Sequence, residues 1–156
     1  MRIVFCSLLL LFFYGSRAQS AAATDSVKAT IDQLFVAIRN ADSTLLNQCF
    51  APGAQLQTVT KNQDAQVIVR EEPISEFSAS VAKLAKDAGD ERIVYDMIKI
   101  DQDLAVVWTP YQFYYKGAFN HCGVNSFQLV RINNEWKIQY IIDTRRKEDC
   151  IEAPKQ

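Results

Sequence analysis

The chain is short of several things that would announce a function. Its 156 residues include one histidine, His121, with four cysteines, five glycines and four prolines. A single histidine excludes a zinc site built on two or three of them. Cys122, the next residue, falls on the opposite face of an extended strand, so the two are not expected to share an ion. No metal and no cofactor are expected. Lys and Arg number 17 against 18 Asp and Glu, a balance without the basic footprint that nucleic acid or an anionic membrane would require, so neither is favoured as a partner. No apolar run approaches the roughly 20 residues of a spanning helix. There is no internal repeat and no low-complexity segment. What remains, at 49% hydrophobic residues, fits one globular domain with a sizeable core.

The N-terminus reads as a separate element. Arg2 precedes the apolar run from Ile3 to Tyr14, and Ser16-Arg17-Ala18 supplies small residues at the two positions a signal peptidase reads. Residues 1–18 are expected to be a signal peptide, cut before Gln19, with export to the periplasm or the medium and no membrane association afterwards. Cleavage leaves 15 basic and 18 acidic side chains, a net charge of −3. It also leaves Cys49, Cys122 and Cys150. In an oxidising compartment Cys122 and Cys150 are the preferred disulfide, because a tail after Arg146 can fold back along its own hairpin. The alternative is two buried cysteines and one loose thiol.

Residues 19–24 are expected to be a flexible lead-in, residues 25–147 the domain, and residues 148–156 a mobile tail. Val27, Ile31, Leu34, Phe35 and Ile38 recur at helical spacing, with Thr24 or Asp25 able to cap. Asn40-Ala41-Asp42 ends that helix, and Asp42 or Ser43 starts a shorter one carrying Leu45, Leu46, Cys49 and Phe50. Short extended runs at 55–60 and 66–71 form an opening hairpin. Pro73 suits the first turn of a third helix with the stripe Ile74, Phe77, Val81 and Leu84. Four long strands follow, over 92–100, 104–115, 119–132 and 135–144. Helices followed by a strand meander predict an α+β domain in which three N-terminal helices cover one face of a curved, mostly antiparallel six-stranded sheet.

Polar residues sort the two sheet faces. Lys99, Gln112, Ser126, Gln128, Lys137 and Gln139 mark the outside. Alternation then sends inward Val94, Asp96, Ile98 and Ile100; Tyr111, Phe113 and Tyr115; Phe119, His121, Gly123, Asn125, Phe127 and Leu129; and Trp136, Ile138, Tyr140 and Ile142. The expected interior is apolar with a few polar groups, as a small-molecule pocket requires. A β-bulge would reverse the assignment beyond it.

The last two strands, His121-Cys122-Gly123-Val124-Asn125-Ser126-Phe127-Gln128-Leu129-Val130-Arg131 and Glu135 to Arg146, are joined by Asn133-Asn134, a turn whose residues tolerate positive φ. This hairpin resembles the C-terminal strand pair of the nuclear transport factor 2-like, or SnoaL-like, superfamily, and its sequence with Asp143-Thr144-Arg145-Arg146 is most similar to the lumazine-binding branch. The resemblance covers roughly residues 25–147. It implies a cone-shaped, cystatin-like α+β roll and a flat aromatic or heterocyclic ligand, and it leaves activity open, since the superfamily holds isomerases, dehydratases, cyclases, hydrolases and transport factors.

On this reading Tyr111, Phe113, Asn125, Phe127 and Tyr140 are candidate ligand contacts. His121 and Asp96 are candidate acid–base residues of an isomerase, dehydratase or cyclase that needs no cofactor. For both, a structural hydrogen bond is the competing interpretation. Asp143 with Arg145 resembles part of the Asp and Arg set of the superfamily's epoxide hydrolases, yet simple alternation puts both on the outer face, as a surface ion pair. A third reading is an interaction module with a filled core, dimeric through the outer sheet face.

Overall fold

The computed structural model describes residues 20–151; the expected signal peptide and the last five residues of the expected tail lie outside them. The first helix, α1 (Ala21–Asn40), starts a turn earlier than its sequence signals suggest, because Ser20 caps it by accepting from the Ala23 amide. Residues 21–24, assigned to a flexible lead-in, are therefore helical. Val27, Ile31, Leu34 and Ile38 form its buried stripe, and Ala41, in the left-handed region at φ 56°, ends it. Asp42 then caps α2 (Ser43–Cys49) by accepting from the Leu45 amide.

The hairpin of β1 (Phe50–Lys61) and β2 (Val67–Glu72) and the short α3 (Ile74–Val81) follow. The remaining strands are β3 (Gly89–Ile93), β4 (Met97–Asp101), β5 (Leu104–Tyr115), β6 (Ala118–Ile132) and β7 (Glu135–Arg146). They form one seven-stranded sheet in the order β2-β1-β7-β6-β5-β3, with β4 also pairing β5. All pairs are antiparallel except β1 with β7. The turn between β6 and β7 has Asn133 at φ 51° and Asn134 at φ 67°, the double left-handed geometry that its two asparagines anticipated.

The α1 helix lies on the inner sheet face, where Val27 and Ile31 meet Leu129, Ile138 and Phe127 in one core. Two polar contacts tie it to Trp136: Trp136 Nε1 donates to Ser26 Oγ over 3.2 Å, and Thr30 Oγ1 donates to the Trp136 carbonyl over 3.2 Å. Each fully buried aliphatic side chain such as Ile31 or Leu46 contributes about 1.5–3 kcal/mol through removal from water. The helices thus close one end of the inner face and leave the other open.

Three one-residue register shifts decide which side chains reach that open end. Between β3 and β4, Ile93 pairs with Tyr111 but Met97 pairs with Trp108, so the 92–100 run carries one extra residue and splits in two. This makes seven strands where six were expected. It also reverses the face upstream of Met97: Val94 and Asp96 are exposed, while Glu91 and Ile93 turn inward. In β7 the shift lies between Ile138, paired with Leu129, and Tyr140, paired with Gln128. Gln139 is the extra residue. Trp136 and Ile138 point in as expected, but Tyr140 and Ile142 turn out and Ile141, Asp143 and Arg145 turn in. In β6 the extra residue is Asn120; His121 stays in register with Phe127 and faces inward, whereas Phe119, expected inside, lies against Tyr114 at 5.9 Å between ring centres, 44% exposed.

The tail is tied down as far as it is described. Cys122 and Cys150 form a disulfide with 5.8 Å between their Cα atoms, the pairing favoured from sequence. Gln112 donates its side-chain amide to the Ile151 carbonyl, and Arg146 donates to the Asp149 carbonyl at 3.1–3.2 Å. Cys49 is free and buried, and burial pushes its thiol up to about 11, so it behaves as a small apolar side chain.

Candidate ligand pocket and its polar wall

A cavity of about 260 Å³ opens between α1, α3 and the inner sheet face. Its apolar wall includes Leu34, Phe35, Ile38, Phe77, Phe113 and Phe127. The polar wall is made by Glu91 from β3, Tyr111 from β5, His121 and Asn125 from β6, and Asp143 and Arg145 from β7. Of the residues singled out from sequence, Tyr111, Phe113, His121, Asn125 and Phe127 line the cavity. Asp96 and Tyr140 do not. Asp96 is exposed in the β3–β4 break, its amide bonded to the Trp108 carbonyl. Tyr140 is on the outer face, donating its hydroxyl to Gln57 Oε1 over 2.6 Å.

Gly123 shapes the polar wall. A Cβ there would lie 1.7 Å from the Thr144 carbonyl oxygen and 2.9 Å from Tyr111 Cε1. Because none is present, the Tyr111 ring, whose residue pairs with Gly123, extends toward β7. Its hydroxyl donates to the Thr144 carbonyl and to Asp143 Oδ2, at 3.0 and 3.1 Å. Asp143, 5% exposed, also accepts from Thr58 Oγ1 and, over 2.8 Å, from Arg145 Nε. Its two oxygens are fully engaged. Although burial works against the charge on Arg145, the hydrogen bond and charge of Asp143 hold its pKa above the ordinary arginine value. This pair is a closed, internally neutral unit.

Glu91 is different. Asn125 Nδ2 donates to its Oε1 over 2.7 Å, and among the described residues its other oxygen has no hydrogen-bond partner. Glu91 is half-buried, lining both the cavity and a shallow groove beneath α1. Desolvation raises its pKa to about 7; the Asn125 hydrogen bond opposes this, the Asp143 charge adds to it, and Arg145 opposes it. The neighbouring cations are committed elsewhere, Arg39 and Arg92 to Asp90 and Arg145 to Asp143.

His121 packs its ring against Tyr111 and Phe113, with centroids at 5.6 and 5.2 Å, and its Nδ1 meets Asn120 Oδ1 at 2.8 Å. Burial lowers its pKa below the ordinary 6.5, Arg145 lowers it further and Asp143 partly offsets this, so the imidazole is neutral at pH 7. Among the described residues no group of three or more His, Cys, Asp and Glu is placed to hold a metal ion. Chemically the wall offers a carboxyl able to give or take a proton near neutrality, a neutral imidazole and a fixed ion pair.

Glu91 went unrecognised from sequence, and the Asp143–Arg145 ion pair, expected on the outer face, lies on the cavity wall instead. Glu91 lies in the charged run Asp90-Glu91-Arg92, which reads as a turn ahead of a strand starting at Arg92. The signals for the other two are the adjacent apolar residues Ile141-Ile142, which break strict alternation and are a mark of a bulge.

No protein-family model matches the chain, and no curated protein does. Solved structures do. A nuclear transport factor 2-like protein of unknown function from Shewanella baltica OS155 superposes with a TM-score of 0.65 at 13% identity, over 84% of this chain and 99% of that one. A similar protein from Silicibacter pomeroyi DSS-3 gives 0.63 at 12% identity, over 83% and 100%. One with a cystatin-like fold from Nostoc punctiforme PCC 73102 gives 0.65 at 11% identity, over 83% and 95%. Three helices on a curved, mostly antiparallel sheet and these likenesses together establish that the chain has the nuclear transport factor 2-like, cystatin-like fold.

Proposed function

We propose that this chain is an exported domain that binds a small, largely apolar molecule, flat and aromatic or heterocyclic, inside the cone. The observation that carries the reading is the cavity itself: aromatic and aliphatic walls with polar groups gathered on one side, anchored by Glu91 and Asn125. Its volume is near the lower end of ligand pockets, about 300–1,000 Å³, which suits a compact ligand. A pteridine such as lumazine belongs to that class, on the strength of the sequence resemblance alone. Export is supported by the N-terminal pattern and by the Cys122–Cys150 disulfide, a bond favoured outside the reducing cytosol.

The test is thermal melting of the mature protein against a panel of flat heterocycles that includes lumazine, beside Asn125→Ala and Phe113→Ala. A compound held at 100 times its Kd adds about 2.7 kcal/mol, a clear shift in Tm. A shift lost in both variants supports the pocket. If no compound moves the wild-type Tm, the reading gives way to the interaction module, supported by exposed Trp108 and Met97 on the outer face, through which a homodimer would form.

One observation favours a second reading, acid–base catalysis without a cofactor. A carboxyl of pKa about 7 facing the cavity is the property a general base or acid needs. Glu91 takes the place that sequence alternation had given to Asp96, with His121 or Tyr111 as its partner across the site. Turnover abolished in Glu91→Gln with binding retained is the expected outcome if the chain is an enzyme.

A further inference from the structure

Accepting the pocket reading above, we propose that the ligand carries a basic nitrogen, an arylalkylamine or a comparable nitrogen base, whose ammonium group pairs with Glu91. Charge placement is the first ground. Three carboxylates, Glu72, Glu91 and Asp143, line the cavity against one cation, Arg145, which is spent on Asp143. Among the described residues the groups around Glu91 offer no other partner: Asn125 on β6 donates to one oxygen only, Arg39 on α1 and Arg92 on β3 bind Asp90, Asp32 on α1 accepts from Tyr95, and His121 is turned to Asn120. The second carboxyl oxygen is therefore left facing the open cavity, and among the described residues no cation pairs with it when it is ionised. An ammonium N–H satisfies it in the ionised state.

The second ground is the wall. Phe35, Phe77, Phe113, Phe127 and Tyr111 surround the site with aromatic rings, whose faces attract a cation. An anionic ligand would instead meet Asp143 and Glu91 with no uncommitted cation. On binding, protonated Glu91 loses its proton to solvent while the ligand keeps its own, so the pair that forms is carboxylate and ammonium. With the carboxyl near 7 before binding, complex formation at pH 6 releases about one proton.

The experiment is titration calorimetry of the full mature protein with 1-naphthylmethylamine, 1-naphthylmethanol and 1-naphthoate, at pH 6 in two buffers of different ionisation enthalpy. The amine is expected to bind about tenfold tighter than the alcohol, as a charge-assisted hydrogen bond allows. It alone should release a proton. In Glu91→Gln, which still accepts from Asn125 but cannot ionise, the amine-to-alcohol ratio should fall to about one and proton release should vanish. Alcohol or naphthoate binding as tightly as the amine overturns the proposal while leaving the pocket reading intact. So does a preference for amine that Glu91→Gln does not change, since the amine is then bound elsewhere. Failure of all three to bind counts against the pocket reading itself.

Discussion

Asn125 reaches across the neighbouring β5 strand to give its side-chain N–H to Glu91 Oε1, 2.7 Å away. It can do so because Tyr111, between them on the inner face, extends over Gly123 toward β7. The result is a carboxyl held in place by one hydrogen bond, beside Asp143 and without a cation of its own. Two acids on the same wall are thereby separated in character: Asp143 is fully paired, and Glu91 titrates near neutrality.

Glu91 should make stability fall as pH rises. Its folded pKa of about 7 lies above the ordinary value of 4.5, so the folded state holds the extra proton between them. Stability from this group is complete below 4.5 and is lost as pH rises through 7. The upper bound is about 3 kcal/mol, reduced by solvent entering the cavity. Urea unfolding at pH 5 and pH 8 should show Glu91→Gln gaining on the wild type at the higher pH.

Asp143 should matter to folding whatever the ligand. Asp143→Ala leaves Arg145 without its counter-charge and takes one acceptor each from Thr58 and Tyr111, and should cost about 2–3 kcal/mol, less than a wholly buried pair because Arg145 keeps some contact with water and Tyr111 keeps the Thr144 carbonyl. Tyr111→Phe removes one donor and keeps the ring, at about 1 kcal/mol. Denaturant melts of the two variants give the ordering, and an inverted order would mean that the pair is not the anchor of this wall.

The three-helix, curved-sheet architecture was legible because its signals are repeated many times over. The α1 stripe, the Asn133-Asn134 turn and the strand lengths each state the same answer. Half of the polar wall was legible for a similar reason: β6 keeps one register from His121 to Phe127, so Asn125 fell on the expected face. The other half hung on single residues. One extra residue near Asp96 and one at Gln139 each reverse a strand's faces, exchanging Asp96 for Glu91 and Tyr140 for Asp143 and Arg145. Composition changes little at a bulge, so periodicity alone has almost nothing to detect.

Gly123→Ala should be among the most damaging small substitutions. The new methyl would overlap the Thr144 carbonyl and displace the Tyr111 ring, and backbone cannot yield as a flexible side chain would. A loss of about 3 kcal/mol or more is expected, beyond ordinary overpacking. Soluble yield and Tm report it, and a near-neutral result would show that β6 and β7 have slack at this point.

Opening the Cys122–Cys150 disulfide should loosen the tail and destabilise the domain. The bond closes a loop with a sequence separation of 28, worth about 3–4 kcal/mol if chain entropy dominates. Cys150→Ser should therefore lower Tm and free residues 147–151 to exchange amide hydrogens quickly, with the Gln112 contact to Ile151 lost. The cavity lies on the other face of β6, so ligand affinity measured below the new Tm should change little.

Residues turned outward by the bulges should be silent in binding. Asp96 is exposed and Tyr140 spends its hydroxyl on Gln57, both away from the cavity lining. Asp96→Asn and Tyr140→Phe should leave the Kd for 1-naphthylmethylamine within about twofold, whereas Asn125→Ala should weaken it about tenfold by releasing Glu91 from its only protein hydrogen bond among the described residues. The contrast does not depend on knowing the natural ligand. Side chains beyond a one-residue shift have moved to the other face of the sheet, so a large effect from Tyr140→Phe would mean that the β7 bulge is absent in solution.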